Sequence, residues 1–205
     1  IKALTRVIRN SRIAMSLVND ILEVGRSNEG ILNKGTYRCF EYIVFPFVEI
    51  FDLIDPEIAE RISRAGGYKA FIEILASQGV RLEMDASLWE KEIFLDVRKV
   101  RQIIRNLLSN AFKYRKKEVV VEISLDDNNL FISIADDGKG IEKEFHKKVF
   151  ERYFQLGDER EHCVRGHGLG LAGALVLVED MGGRMTLESE MNRGAKFSVS
   201  LPLGR

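Results

Sequence analysis

Asn106 and Asn110 stand four residues apart and Lys113 follows three further on, so a helix would carry all three along one face. Side-chain amide oxygens can ligate a hard cation such as magnesium, and a lysine can meet phosphate. The plain alternative is a solvated helix edge. A second cluster, Asp136-Asp137-Gly138-Lys139-Gly140-Ile141, follows directly on an apolar run. A carboxylate at a strand end can accept a hydrogen bond from an exocyclic amine, and glycine lets a planar ring approach the backbone. Asp-Gly pairs also make ordinary turns, which is the competing reading. The third cluster, Gly166-His167-Gly168-Leu169-Gly170-Leu171, opens an apolar helical run. Backbone N–H groups exposed at a helix N-terminus bind phosphate. Its glycines fall at i, i+2 and i+4 with no strand just before them, which departs from a dinucleotide fingerprint. Each cluster is weak alone; their order is the signal.

The elements around these clusters must bring them together. Val97, Val100, Ile103, Ile104, Leu107, Leu108, Ala111 and Phe112 make an apolar helical stripe, with Asp96 placed as its N-cap. Lys113, Arg115, Lys116 and Lys117 crowd the other end, where cations suit the helix dipole. Val119–Leu125 and Leu130–Ala135 alternate as two strands around a polar turn. A helix is expected from about Ile141 to Phe150, another over Leu171–Met181, and a final hairpin from Arg184–Glu190 and Ala195–Leu201. Upstream, Arg38 to Val44 reads as a strand, with Pro46 either ending it or opening the following helix, and Pro56 opens a short helix that Gly66-Gly67 stops. Tyr68–Ser77 reads as a helix, then Val80–Met84 and Ile93–Leu95 as short strands. The first residues step by three and four through Ile1, Leu4, Ile8, Ser11, Met15, Val18 and Leu22, the seam of a helix that needs a partner helix, the plain alternative being a helix folded back on its own domain. The expected class is α+β: a two-layer sandwich of mixed, largely antiparallel sheet against helices, preceded by one long amphipathic helix.

Composition narrows the function. The chain has 205 residues, 45% of them apolar and 30% charged, the balance of a soluble globular protein. No apolar run approaches the roughly 20 residues that cross a bilayer, and no signal peptide opens the chain. Thirty-one basic residues balance 31 acidic ones, so no global charge draws the chain to nucleic acid. Two cysteines fit a reducing compartment. The expectation is a cytoplasmic piece of something longer. His162, Cys163 and His167 invite a metal reading, but two imidazoles and one thiol without a fourth ligand make a poor zinc site.

Taken in order, the clusters resemble the Bergerat-fold ATP-binding superfamily shared by gyrase, heat-shock-90 chaperones, mismatch-repair ATPases and sensor histidine kinases. The likeness to the histidine kinases runs from about Thr5 to Leu203. Asn106 to Tyr114 is similar to their N box, Asp136 to Ile141 to their first glycine box, Phe150 to Phe154 to their F box and Gly166 to Leu171 to their second glycine box. Residues 1–30 resemble the second helix of the dimerisation hairpin, with the first helix absent. Residues 36–205 then form the catalytic domain, with an extra helical segment around 52–67. The resemblance implies cofactors ATP and magnesium. Asp136 would read the adenine amine beside Gly138, Gly140 and Ile141. Asn110 would hold magnesium with Asn106 next to it, and Lys113 and Tyr114 would contact the nucleotide. A lid from about Glu142 to Arg165 would rest on Phe150 and Phe154, with Arg152, Gln155 or Arg165 near the triphosphate. Gly166, Gly168, Leu169 and Gly170 would offer backbone amides to phosphate.

The reaction so implied moves the ATP γ-phosphoryl group to a histidine, then to an aspartate of a response-regulator receiver domain, in a homodimer held through the N-terminal helix. The family's acceptor histidine has no counterpart here, since His146, His162 and His167 all surround the lid. The alternative is a degenerate module that binds nucleotide or a partner without autophosphorylation. A gyrase-like ATPase stands third, because an amide at Asn106 cannot take a proton from water as a glutamate base would.

Overall fold

The computed structural model describes residues 32–154 and 169–204. The expected N-terminal helix, together with Gln155, His162, Cys163, Arg165, Gly166, His167 and Gly168, lies outside the described residues. A short strand, β1 (Gly35–Arg38), leads into three helices, α1 (Cys39–Ile54), α2 (Pro56–Ser63) and α3 (Tyr68–Ser77). There follow β2 (Val80–Met84), β3 (Glu92–Leu95), α4 (Val97–Tyr114), β4 (Val119–Leu125) and β5 (Asn129–Asp136). The chain then closes with α5 (Gly170–Asp180), β6 (Arg184–Ser189) and β7 (Ala195–Pro202).

Five strands form one sheet in the order β2-β4-β5-β7-β6, and β1 pairs separately with β3. Only β2–β4 is parallel within the large sheet; its other pairs are antiparallel. Alternate residues Val119, Val121, Ile123, Leu130, Ile132, Ile134, Phe197, Val199 and Leu201 bury one face. That period of two meets the helical stripe of α4, whose Val100, Ile103, Ile104, Leu107, Leu108 and Ala111 are buried with them in one core. Among the described residues no helix is long and apolar enough to cross a membrane.

Helix α4 is the element that positions the site, and both of its ends are fixed. At its start the Asp96 carboxylate accepts the N–H groups of Arg98 (3.2 Å) and Lys99 (3.3 Å), with that of Asn33 at 2.9 Å. At its end Arg115 turns extended after donating its N–H to Ala111 O at 2.9 Å. Lys99 Nζ reaches Asp180 Oδ2 at 3.0 Å and ties the first turn of α4 to the last turn of α5.

Two sequence expectations are corrected. Arg38 to Val44 is not a strand: β1 stops at Arg38 and α1 runs from Cys39 through Pro46. The run is rich in aromatic and β-branched residues, yet its buried positions Cys39, Tyr42, Ile43, Phe47, Ile50 and Phe51 repeat at helical spacing. The Arg38 N–H finds Glu41 Oε1 at 3.1 Å, a local acceptor at the helix start. The helix expected from Ile141 to Phe150 is instead two 3-10 turns, Lys143–Phe145 and Lys148–Phe150. Tertiary partners hold this segment: Ser189 takes the Ile141 N–H, and the Phe150 ring meets Phe197 edge-on at 6.2 Å. Within residues 52–67, α2 is helical, and Asp55 caps it through the N–H groups of Glu57 and Ile58.

Candidate functional site

The C-terminal end of α4 and the C-terminal end of β5 meet at Gly138. A Cβ on that residue would overlap the carbonyl oxygen of Tyr114, so only glycine allows the two backbones to come this close. Asp137 bridges the same junction, since its Oδ1 accepts the N–H groups of Lys116 (2.7 Å) and Lys117 (3.0 Å). Some burial opposes ionisation of Asp137, but these backbone donors outweigh it and hold the carboxyl below its ordinary range. Its part is structural.

Asp136 is different. It ends β5 in the middle of the sheet, opposite Val119 on one side and Ala195 on the other, and is 8% exposed. Burial raises its carboxyl above the usual range, and the neighbouring Asp137 charge adds to that. Hydrogen bonds from the N–H groups of Gly138 (2.8 Å to Oδ1) and Ala195 act the other way. An ionised carboxylate has about four acceptor positions, so two backbone donors leave capacity for a further donor. A buried carboxylate with acceptor capacity to spare is suited to an amine on a flat ring.

The turn after it is closed by the β6–β7 hairpin. Gly140 adopts φ +73°, and a Cβ there would overlap the carbonyl of Glu190. Ser189 Oγ accepts the Ile141 N–H at 2.8 Å and donates to Gly194 O at 2.6 Å. Asn192 N–H reaches Lys139 O at 2.6 Å, and His146 Nε2 lies 3.0 Å from Ile141 O. Gly138, Gly140 and Ile141 are thus fixed by partners remote in sequence.

Along α4, Asn106 is buried, while Asn110, Lys113 and Tyr114 are partly exposed. Lys113 Nζ lies 4.9 Å from the centre of the Tyr114 ring. Asn106 Oδ1 accepts from Gln102 Nε2 at 3.2 Å, and Gln102 Oε1 accepts from Arg105 Nε at 3.1 Å. Sequence reading passed over Gln102 and Arg105. The available signal was the four-residue step from Gln102 to Asn106 on the same helix face. Phe150 is half-buried against Phe197, Phe145 and Phe154 pack at 5.9 Å, and Arg152 is exposed. Leu169 is buried and is the N-cap of α5, which starts at Gly170; its own side chain makes no capping hydrogen bond.

This junction of an amide-bearing helix, a strand-end carboxylate and a glycine turn falls within residues 95–205, which match the family model of histidine kinase-, DNA gyrase B- and HSP90-like ATPases. The match covers more than half of the chain, and the chain belongs to that family. It is 40% identical over 115 residues to the sensor protein RprX of Bacteroides fragilis, covering 54% of this chain and 22% of that protein. It is 30% identical over 192 residues to the signal transduction histidine-protein kinase BaeS of Escherichia coli, covering 92% of this chain and 37% of that one. The chain therefore spans well under half the length of these relatives. Among solved structures, full-length ShkA in complex with AMPPNP is similar, with a TM-score of 0.67, 23% identity, and coverage of 99% of this chain and 38% of that one. That likeness supports the mixed α+β fold.

Proposed function

We propose that the chain is the ATP-binding catalytic region of a two-component sensor histidine kinase. It moves the γ-phosphoryl group of ATP to a histidine that is none of His146, His162 and His167, for relay to a response-regulator aspartate. The observation that carries this reading is the buried Asp136 carboxylate, with acceptor capacity left over, set at the strand end beside the close Gly138 turn. Asp136 accepts the adenine exocyclic amine, while Gly138 and Gly140, packed against the Tyr114 and Glu190 carbonyls, hold the turn beside the ring and Ile141 lines it. Lys113 and Tyr114 flank the nucleotide from the end of α4. Arg152 with Gln155 or Arg165 serves the triphosphate, and the amides of Gly166, Gly168, Leu169 and Gly170 cradle phosphate at the start of α5.

Magnesium fits the donor set, because Asn110 offers a neutral oxygen one helical turn from Asn106, and hard cations take few protein oxygens when phosphates supply the rest. When bound, the cation neutralises charge on the phosphates. The chain's own residues orient the nucleotide and exclude water, which is most of what phosphoryl transfer asks of a protein. A response-regulator receiver domain is the phosphoryl acceptor's partner, and the N-terminal helix supplies the homodimer contact.

Calorimetry with Mg-ATP tests the reading. The chain should bind, and Asp136→Ala should lose about one to two decades in affinity, the cost of an unmet buried polar contact of about 1–3 kcal/mol. Asn110→Ala should weaken binding more in magnesium than in EDTA. A separately supplied dimerisation hairpin bearing the upstream histidine should gain acid-labile, base-stable phosphate. Nucleotide binding without transfer to that hairpin would instead identify a degenerate module.

A further inference from the structure

The amide of Asn106 has two chemically opposite faces, and its neighbours decide which is engaged. A guanidinium can only donate hydrogen bonds. Arg105 Nε therefore meets Gln102 through the Gln102 carbonyl oxygen, at 3.1 Å. That choice leaves the NH2 end of Gln102 directed to Asn106, 3.2 Å away, where it must meet the Asn106 oxygen. Both amide orientations thus follow from one residue whose polarity cannot be reversed. The chain of contacts reaches back to α1: Glu49 on that helix is half-buried and feels the charges of Arg105 and Arg101. Arg101 itself donates to Glu41 O at 3.0 Å.

We propose that Gln102 is a positioning residue which, oriented by Arg105, holds the Asn106 amide with its oxygen toward the preceding helical turn and presents its NH2 group to the nucleotide phosphates. Asn106 then acts as a hydrogen-bond donor, and the oxygen ligand to magnesium is Asn110 alone of the two. This rests on the nucleotide-binding reading above. It also divides the labour between two amides that sequence spacing treats alike: donation to an anion at Asn106, donation of a lone pair to a cation at Asn110.

Gln102→Glu discriminates. A carboxylate at that position keeps its attraction to Arg105, three residues on, so the helix is retained. It offers Asn106 only acceptors, so Asn106 must rotate its NH2 inward and turn its oxygen out. AMPPNP affinity should fall at least about tenfold, the worth of one hydrogen bond to a charged group, and by the same factor in magnesium and in EDTA. Thermal stability should be unchanged. The side-chain NH2 resonances of Asn106 in a 15N-labelled chain should shift on AMPPNP binding in the parent and not in the variant. Gln102→Met, which removes the lock without reversing it, should give a smaller loss in the same direction and covers the case of a poorly folded glutamate variant. Unchanged or tighter binding in magnesium by Gln102→Glu would overturn the proposal by making the Asn106 oxygen the useful face. Absence of AMPPNP binding by the parent chain itself would reject the nucleotide-binding reading instead.

Discussion

Asp136 carries two opposite pH dependences, and their coexistence is diagnostic. Its carboxyl is raised by burial in the folded chain, so the fold binds that proton more readily than the unfolded chain does. The free chain should therefore gain stability from this group as pH falls through the raised value, and lose it as pH rises above. Nucleotide affinity should move the other way, because a protonated carboxyl has less to offer an amine. As pH is lowered from neutral toward that raised range, calorimetric affinity should decline while the melting temperature of the free chain, compared with Asp136→Asn, rises. A flat affinity profile over that range would separate Asp136 from the nucleotide. Cys39 makes a simpler case. It is fully buried, accepts the Tyr42 hydroxyl at 3.0 Å, and burial pushes its thiol up to about 11. In a Cys163→Ser background the native chain should resist iodoacetamide at about pH 8, since the thiolate is the nucleophile, and react once denatured with urea. Asn106, Asn110, Lys113 and Asp136 were legible as chemistry because amides and carboxylates stood out against apolar periodicity. Gln102 and Arg105 were not, because a glutamine and an arginine on a helix look like solvent-facing residues until their partners are seen.

At the scale of elements, α4 depends on one carboxylate. Asp96 is 2% exposed and accepts three backbone N–H groups, two inside the helix and one from Asn33. Asp96→Ala should cost about 1–2 kcal/mol in urea melts, the upper part of the range for a lost N-cap, whereas Asp96→Asn should recover part of that. A variant as stable as the parent would show that packing of the α4 stripe alone sets the helix start. The cap was readable in advance, since aspartate directly precedes an apolar stripe, and so were α2, α3, β2 and β4 within a residue or two. The failures share a cause. At Cys39–Val44 strand-forming residue types stood at helical spacing, and tertiary burial decided for the spacing. From Ile141 to Phe150 helical spacing was present, but Ser189 and Phe197, far along the chain, fix the backbone as tight turns. Contacts of that kind leave no trace in a local pattern.

Across the whole molecule, stability should be graded. Strand β5 lies between β4 and β7, paired over Leu130–Asp136 with the first and along its full length with the second, while β1 and β3 make a four-residue ribbon with no further strand among the described residues. Hydrogen exchange should accordingly show β5 amides opening only with global unfolding and β1 amides opening in smaller events. Equal protection of the two would contradict that ordering. The ribbon has a mechanical meaning as well. Chain arriving from before Leu32 is fastened first by Asn33 to Asp96 and then by β1 to β3, all at the start of α4. Helix α4 has 18 residues, a rod of about 27 Å, and Lys113 and Tyr114 sit at its far end. A torque delivered by the preceding segment thus enters at the fulcrum of that rod, and its load is the junction of Tyr114 with Gly138. A tilt of that rod about its Asn33 end would move its Tyr114 end the farthest, and Tyr114 is where the rod meets Gly138.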